Sequence, residues 1–261
     1  MTLTAPGWLT PHWPDLPATV GALATTRAGG VSPAPYDDGE NGGGRNLGLH
    51  VGDDPALVGQ NRLLVQARVP GRLAWLSQVH GVAVVDAADG GEVAPVADAS
   101  IASLPGAACT IMTADCLPVL FADLAGKVVG GAHAGWRGLA AGVLQATVQA
   151  MRAAGAGEIT AWLGPAIGPA AFEVGDDVRA AFLQALPCLQ EDVAGAFTPY
   201  PGRAGKFLAD MNMLARLSLR EVGVTRVWGG EHCTFTEASA FYSYRRDGVT
   251  GRQASLIWIK Q

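Results

Sequence analysis

The sequence predicts a mixed α+β fold in a single domain, with mixed β-sheets flanked by helices. Hydrophobic residues make up 49% of the 261 residues and charged residues 16%, which is enough apolar material for one large core. Short runs of β-branched and aromatic residues outnumber the helical patterns, without the regular strand–helix alternation of a doubly wound parallel sheet. The glycine-rich residues 39–44 are too few for an interdomain linker and predict a mobile surface loop, so one domain over residues 1–261 is expected.

The individual elements follow from local patterns along the chain. A helix is predicted over residues 55–67, because Asp53 and Asp54 can cap it and Pro55 suits its first position. A further helix should follow Gly138, and two more should end at Pro187 and at Gly223. The helix that ends at Pro187 is predicted over residues 176–186, and the helix that ends at Gly223 is predicted to start at residue 210. Strands are predicted over residues 73–76, 82–85, 109–112, 117–122 and 128–132, with a last, central strand over residues 253–259.

Charge and composition exclude several classes of partner. The formal net charge of -5 and the pI near 5.5 give no general attraction for nucleic acid or for an anionic membrane. The N-terminus lacks a signal-peptide layout, and the apolar region over residues 117–134 is broken by Asp123 and Lys127. The four cysteines are widely spread and are interpreted as reduced thiols, so we expect a cytoplasmic protein. No sequence pattern specifies an oligomeric state.

Three candidate metal ligands, His80, Cys116 and His133, each lie where a predicted strand meets a turn. Two imidazoles and a thiolate suit Zn²⁺, and three protein ligands leave the fourth position to water or substrate, as in a catalytic site. No two of them form a local ligand pair. Each is therefore also compatible with a structural role, as a histidine in a glycine turn or as a small buried cysteine. A metal-free pair, with Cys116 as nucleophile and His133 as its base, is a second hypothesis.

Arginines beside glycines are candidates for binding an oxyanion. Arg137 lies between two glycines at a predicted helix start, and Arg27 precedes two glycines; surface ion pairing and a solvated loop are the alternatives. Asp115 could orient a ligand, carry a proton or simply occupy a turn. Residues 241–246 alternate aromatic and polar side chains, which favours an edge strand but could supply one ring to stack on a flat substrate. The other cysteines are predicted to pack in the interior and two histidines to lie at the surface: Cys109, Cys188, Cys233, His12 and His50.

These motifs resemble the signature blocks of the YfiH family, long named polyphenol oxidases or laccase-domain proteins and now described as purine nucleoside phosphorylases. The blocks are V-H-G around His80, A-D-C-L-P around Cys116, H-A-G-W-R-G from His133 and Y-S-Y-R-R-D over residues 242–247. Further matches are T-R-A-G-G-V-S over residues 26–32, N-L-G over residues 46–48 and L-G-P-A-I-G over residues 163–168. The resemblance therefore spans nearly the whole chain in order, with the loop at residues 39–44 as the least familiar part.

The resemblance implies zinc bound by His80, Cys116 and His133. It implies phosphorolysis of adenosine, inosine and S-methyl-5′-thioadenosine to the free base and (methylthio)ribose 1-phosphate, with adenosine deamination besides. The deamination would need its own arrangement, because the H-x-E…P-C-x-x-C signature of zinc deaminases is absent. The implied fold is the mixed α/β one shared with certain Cys–His toxin deamidases. Together with the residue patterns above, the candidate catalytic residues are His80, Cys116, His133 and Asp115, and the candidate substrate-binding or phosphate-binding residues are Arg27, Arg137 and Arg245.

A zinc-stabilised interaction module without enzyme activity stays open beside this resemblance, and it predicts that His80→Ala unfolds the protein. Two alternative activities stay open as well. One is a Cys–His amidase or deamidase that acts on a small amide, such as a peptidoglycan precursor. The other is copper-dependent phenol oxidation, which is less favoured because one His₂Cys set cannot supply the several copper sites needed for four-electron reduction of oxygen.

Overall fold

The computed structural model describes residues 7–40, 42–89, 91 and 93–261, and it confirms the mixed α+β class. The strands are β1 (Trp8–Leu9), β2 (Val20–Thr25), β3 (Ala28–Ser32), β4 (Arg72–Ala74), β5 (Val84–Asp86), β6 (Ala99–Ala102), β7 (Ala107–Thr113), β8 (Leu117–Asp123), β9 (Val129–Ala134), β10 (Ile159–Leu163), β11 (Glu173–Gly175), β12 (Phe197–Pro199), β13 (Lys206–Ala209), β14 (Arg226–Gly229) and β15 (Gln253–Ile259). The helices are α1 (Pro55–Gln66), α2 (Trp136–Ala141), α3 (Val143–Ala153), α4 (Asp176–Ala185), α5 (Gln190–Gly195), α6 (Met211–Glu221) and α7 (Tyr244–Asp247).

Two large sheets form the centre of the molecule. One has the strand order β1-β2-β15-β7-β4, and the other has the order β14-β10-β8-β9-β6-β5. Both are mixed, since β4 and β7, β5 and β6, and β10 and β14 pair in parallel while the other pairs are antiparallel. A small antiparallel sheet, β11-β13-β12, lies beside α4 and α5.

The alternation of side chains along the central strands divides the core into layers. Ile257 of β15 and Leu120 of β8 point into the space between the two large sheets, where they pack in one apolar cluster. The next residue on β15, Leu256, faces the other way and packs with Val65 of α1. On the far side of the six-stranded sheet, Phe121 packs among residues of α3, α4 and α6. The order of layers is therefore helix, sheet, sheet and helices.

Most of the predicted elements are present in the structure. The last strand is observed over Gln253–Ile259 in a central position, with β2 on one side and β7 on the other. Asp54 caps α1 by accepting the backbone N–H of Ala56, as its position before Pro55 predicts. The single helix predicted after Gly138 is wrong in detail, because it begins at Trp136 and is divided into α2 and α3. Gly142, in the left-handed conformation, causes the division.

The predicted mobile loop at residues 39–44 is only partly exposed. Asn41 lies outside the described residues, while Gly44 is buried and bridges both ends of β3. Its carbonyl oxygen accepts a hydrogen bond from the Asn61 side chain of α1 at 3.1 Å. This end of the loop is therefore fixed against the fold. Among the described residues, every helix is too short or too polar to cross a membrane.

The passage of the chain between the two large sheets positions the functional residues. β7 belongs to the five-stranded sheet and β8 to the six-stranded sheet, so residues 114–116 cross from one sheet to the other. β15 begins opposite the end of β7, with Gln253 paired to Thr113. β9 ends opposite the start of β8. One end of the sandwich thus gathers four strand termini.

Candidate metal centre and cavity

The three predicted ligands converge at this end of the sandwich. The register of β8 and β9 pairs Leu117 with Ala134, so Cys116 lies next to the end of the strand that carries His133. His80 comes from the loop between β4 and β5. The ligand atoms of the three side chains all lie within 4.8 Å of one another, and the Cys116 Sγ is 3.6 Å from the His80 Nε2. The rings of the two histidines meet edge to face with centroids 4.8 Å apart.

Gly135 makes this close approach possible. A Cβ at this position would lie 2.5 Å from the His80 Cδ2 and 3.2 Å from the Cys116 Sγ. The first distance is far below van der Waals contact, so any side chain here would displace His80. The glycine that follows the strand of His133 is therefore part of the site.

Asp98, which the sequence analysis missed, holds two of the three ligands. It is fully buried, and its Oδ1 accepts hydrogen bonds from the Nδ1 of His133 at 2.8 Å and from the backbone N–H of His80 at 2.9 Å. Its Oδ2 accepts the N–H groups of Gly81 at 2.6 Å and Val79 at 3.2 Å. These bonds stabilise the positive φ of 63° at His80, and they leave the Nε2 of His133 as the atom that can bind a metal.

Opposing effects of burial and hydrogen bonding set the charges of the site. Desolvation would raise the pKa of Cys116, but hydrogen bonds with His133 and His80 outweigh it and lower this pKa to about 6. Desolvation would lower the pKa of His133, but its bonds to Asp98 and Cys116 raise it to about 9. Burial also opposes ionisation of Asp98, yet its hydrogen bonds keep the pKa of that carboxyl below its usual value. Near neutral pH the metal-free site therefore holds a thiolate beside an imidazolium.

A cavity of about 640 Å³ opens at the three ligands. Its lining consists of His80, Cys116 and His133, three apolar side chains, and six polar or aromatic residues: His50, Ser77, Gln78, Thr113, Tyr244 and Arg252. The Gln78 amide is bound on both sides to the backbone of Met112, at 2.8 and 2.9 Å, and so forms part of the wall. The volume is in the range of about 300 to 1,000 Å³ that is usual for small-molecule sites.

Asp115 does not reach this cavity, contrary to its predicted role as a proton carrier. Its carboxylate accepts the hydroxyl of Thr234 at 2.7 Å and the backbone N–H of Arg245 at 2.6 Å. Its own carbonyl oxygen accepts the N–H of Ile167 at 2.9 Å. With a φ of 87°, Asp115 instead fixes the turn that brings the chain from β7 to Cys116.

The predicted anion-binding arginines also lie outside the cavity lining. The buried Arg27 donates to the carbonyl oxygens of Asp37 and Ala238, and its guanidinium lies over the ring of Tyr242. Arg137 is exposed, with its guanidinium 4.5 Å from the ring centroid of Trp136. Arg245 donates to the carbonyl oxygen of Glu173 at 3.0 Å. Each guanidinium instead contacts a neighbouring backbone carbonyl or aromatic ring.

Three lining residues were missed or misjudged from the sequence. Arg252 immediately precedes β15, a position without an obvious chemical motif. His50 lines the cavity as well as being exposed, whereas the sequence predicted only a surface residue. Tyr244 is 61% exposed and begins α7, so the edge strand expected over residues 241–246 is wrong. The Ser243 side chain caps this short helix by accepting the N–H of Arg246.

The state of the other cysteines follows their burial. All four cysteines are free thiols, as predicted. Cys109 is buried between the sheets, where desolvation raises its pKa to about 12. Cys188 is exposed, so its predicted packing role is wrong.

The chemistry of the converged side chains fits a divalent transition metal. Two imidazoles and one thiolate are the donors that Zn²⁺ and other borderline or soft metals prefer. Asp98 supplies the hydrogen-bonded carboxylate that commonly orients a metal-binding histidine. His80 is exposed and Cys116 partly so, which leaves a face of the group open to the cavity. In the part of the chain that the structure describes, this is the one group of three such side chains that could hold a metal.

The fold and the site define a two-sheet α+β protein with a candidate His–Cys–His metal centre at the mouth of a small-molecule cavity. Residues 21–260 match the family model described as multi-copper polyphenol oxidoreductase laccase, and the chain belongs to this family. The match confirms the resemblance to YfiH proteins.

Relatives and solved structures cover nearly the whole chain. A purine nucleoside phosphorylase of Pseudomonas aeruginosa is 54% identical over 253 residues, covering 97% of this chain and 98% of the relative. The purine nucleoside phosphorylase YfiH of Escherichia coli is 47% identical over 253 residues, covering 96% and 98%. The crystal structure of the Neisseria meningitidis protein NMB0706 superposes with a TM-score of 0.89 at 50% identity, covering 98% of this chain and 100% of that one.

Proposed function

We propose that this chain is a zinc-dependent purine nucleoside phosphorylase that acts on adenosine, inosine and S-methyl-5′-thioadenosine. The observation that carries the proposal is the convergence of His80, Cys116 and His133 on the wall of a cavity of nucleoside size. Relatives of 42% to 54% identity named purine nucleoside phosphorylases support the same activity. The family match over residues 21–260 supports residues 1–261 as one functional domain, which we expect in the cytoplasm.

In this reaction a phosphate oxygen attacks the anomeric carbon of the nucleoside, the glycosidic C–N bond breaks, and the purine leaves with a proton. The products are the free base and ribose 1-phosphate. When bound by His80, Cys116 and His133, zinc would supply a Lewis acid for substrate oxygen or nitrogen. The protein itself would orient the substrate, and the exposed ring of Tyr244 at the cavity is suited to stack on a purine.

The proposal is tested with purified protein of measured zinc content, incubated with each nucleoside with and without phosphate. We expect free base and the sugar 1-phosphate only when phosphate is present. Cys116→Ser should lose zinc and turnover, while Cys188→Ser, the same change at an exposed thiol remote from the cluster in sequence, should keep both. Zinc-loaded protein without phosphate-dependent release of base from any of the three nucleosides would refute the proposal.

Adenosine deamination is part of the same proposal and has a separate readout. It would convert adenosine and water to inosine and ammonia without phosphate: the water oxygen bonds to the purine carbon that bears the amino group, the C–N bond breaks, and the amino group leaves as ammonia. Asp115 is too fully engaged by Thr234 and Arg245 to be the proton carrier. We therefore expect Asp115→Asn to affect stability more than the ratio of inosine to adenine.

A second candidate function is supported by one specific observation. Asp98, His133 and Cys116 lie in the order of a carboxylate–imidazole–thiol relay, with the Asp98–His133 bond at 2.8 Å and the pKa of Cys116 lowered to about 6. This arrangement fits a Cys–His amidase or deamidase that acts on a small amide such as a peptidoglycan precursor. Hydrolysis by chelator-treated protein, abolished by alkylation of Cys116, would favour the amidase over the phosphorylase.

Copper chemistry is less favoured despite the family description. In the described residues a single His–Cys–His group is present, whereas four-electron reduction of oxygen requires several copper ions. Metal analysis of protein expressed with both metals available, together with oxygen uptake in the presence of phenols, distinguishes the two. Copper-dependent oxygen uptake that is lost in Cys116→Ser would overturn the preference for zinc.

A further inference from the structure

The charge of the cavity wall is unusual for a protein with a net charge of -5. Arg252 is the one permanently charged residue of the lining, and no carboxylate lines the cavity among the described residues. His50, His80 and His133 add three imidazoles. Apart from the Cys116 thiolate, which a bound metal ion would neutralise, the described wall offers cationic and neutral donors and no carboxylate, so it attracts an anion.

The position of Arg252 is fixed by its backbone. Its N–H donates to the Asn46 Oδ1 at 2.9 Å, and its carbonyl oxygen accepts the N–H of Leu47 at 3.0 Å. Its Nη1 donates to the carbonyl oxygens of Thr250 and Gly251, at 3.2 and 3.0 Å. The other three N–H groups of the guanidinium, one on Nε and two on Nη2, have no acceptor among the described residues. The guanidinium is therefore anchored at one nitrogen and offers its other donors.

Gly48 makes room for this arginine. A Cβ at residue 48 would lie 2.8 Å from the Cγ and 3.3 Å from the Cβ of Arg252. The same turn is held by Asn46, which accepts the N–H of Gly48 at 3.0 Å. The N-L-G motif at residues 46–48 thus anchors the arginine backbone and leaves space for its side chain.

His50, two residues further along, lines the same cavity. Burial and the charges of Arg252 and Arg62 lower its pKa, so at neutral pH it is an uncharged imidazole that offers one N–H donor. An anion beside Arg252 would find two kinds of donor in a partly desolvated place. Charge-assisted hydrogen bonds are strong under these conditions.

We propose that Arg252, with His50 beside it, is the phosphate-binding subsite of the cavity. This inference deepens the proposed phosphorylase function and rests on it, since phosphate is the second substrate of that reaction. Arg252 replaces Arg27, Arg137 and Arg245 in this role, because it alone among the four lines the cavity. Arg252 lines the same cavity as His80, Cys116 and His133, so bound phosphate would share this cavity with the metal ligands.

The test uses zinc-loaded protein of measured metal content and inorganic phosphate as the probe. Steady-state kinetics with phosphate and inosine are compared for the wild type, Arg252→Gln, Arg252→Lys and His50→Gln. Arg220→Gln, which removes the same charge from an exposed ion pair on α6, is the matched control. Because hydrogen bonds to charged groups are the strong ones, we expect Arg252→Gln to raise the KM for phosphate by at least about tenfold and Arg252→Lys by less. The KM for inosine should change by less than about twofold.

A second measurement does not depend on any variant or on turnover. Phenylglyoxal modifies accessible arginines, and mass spectrometry reads the modified positions. Phosphate should protect Arg252 in the wild-type protein, while chloride at equal ionic strength should not, and Arg220 should be modified equally in both. This measurement decides the question if Arg252→Gln fails to fold.

The outcomes separate this inference from the proposed function. If the wild type shows no phosphorolysis but phosphate still protects Arg252, the proposed function fails and the subsite remains. If the wild type phosphorolyses inosine while Arg252→Gln keeps the wild-type KM for phosphate, the subsite is wrong and the function remains. Equal modification of Arg252 with and without saturating phosphate would also overturn the subsite.

Discussion

Replacing Asp98 by asparagine removes one charge and one acceptor from the centre of the site. Four N–H groups bind the two carboxylate oxygens: those of His133 and His80 on Oδ1, and those of Gly81 and Val79 on Oδ2. An asparagine has one acceptor oxygen and one NH₂ group. In either orientation of the amide, two of the four donors therefore face another donor.

The expected loss of stability follows from this count. A buried donor without an acceptor costs about 1–3 kcal/mol, so two of them lower the free energy of unfolding by about 2–6 kcal/mol. Without the carboxylate, the ring of His133 and the backbone of His80 are also no longer held in the orientations that bring them to the metal site. Substitution of a group that orients metal-binding histidines typically lowers metal affinity by about 10–100-fold. Both effects are expected in Asp98→Asn.

Urea denaturation of metal-free and zinc-loaded protein measures the first effect, and competition with a chromophoric chelator measures the second. Asp54→Asn is the matched control, because it makes the same change at an exposed helix cap where asparagine serves as well as aspartate. The circular dichroism spectrum of each variant checks that it is folded. If Asp98→Asn binds zinc as tightly as Asp54→Asn, Asp98 does not orient the ligands and the proposed design of the site is wrong.

Other perturbations test different parts of the site. Gly135→Ala should displace His80, as its Cβ would lie 2.5 Å from that ring, and should lower zinc affinity by at least about tenfold in the same chelator competition. In metal-free protein Cys116 should react with iodoacetamide down to pH about 6, while the buried Cys109, with its pKa raised to about 12, should not react. If the alkylation rate of Cys116 instead begins to fall as the pH drops below 8.5, about the pKa of a free cysteine, the thiolate is not stabilised by the two histidines. Tyr244→Ala should raise the KM for inosine several-fold and Tyr244→Phe should not; equal effects would mean that the ring does not stack on the base.

The pH dependence of stability has a sign that follows from the thiolate–imidazolium pair. The folded protein lowers the pKa of Cys116 from 9.0 to about 6, so this contribution is lost as the pH falls through about 6. It raises the pKa of His133 from 6.5 to about 9, so that contribution is lost as the pH rises through about 9. We expect the metal-free protein to be most resistant to urea between these values. Cys116→Ser should flatten the profile, and an unchanged profile would contradict the pairing.

Local patterns predicted the elements whose sequence carries a strong periodicity or cap. The helix after Pro55 and the apolar last strand are of this kind. β6, over Ala99–Ala102, was missed, because small residues in a short run give neither a helical nor a strand signal. The division between α2 and α3 was missed because it depends on the left-handed conformation of one glycine, which a helical pattern does not reveal.

The residues of the candidate site were likewise predictable from the sequence only in part. His80, Cys116 and His133 are visible in the sequence because ligand residue types lie beside turns in recognisable motifs. Asp98 lies among alanines and valines, and only the pairing of β6 with β9 brings it beside His133. Arg252 is no more distinctive in sequence than Arg137. The two arginines differ in their place in the fold. β15 starts beside the end of β7, so Arg252, which precedes β15, lines the cavity, whereas Arg137 does not.

The crossing between the two sheets explains why one set of side chains is compatible with both metal and thiol chemistry. Asp98 orients His133 through Nδ1, and this leaves the other ring nitrogen facing Cys116 whether or not a metal lies between them. A dedicated Cys–His amidase would need no second imidazole, yet Asp98 also holds the backbone of His80 in its left-handed conformation, and Gly135 leaves room for that ring. Two independent features thus serve to bring His80 to the thiolate. His80 also helps to lower the pKa of Cys116, but a carboxylate–imidazole–thiol relay needs only one imidazole. A second imidazole held within ligand distance of both Cys116 and His133 therefore favours the metal centre.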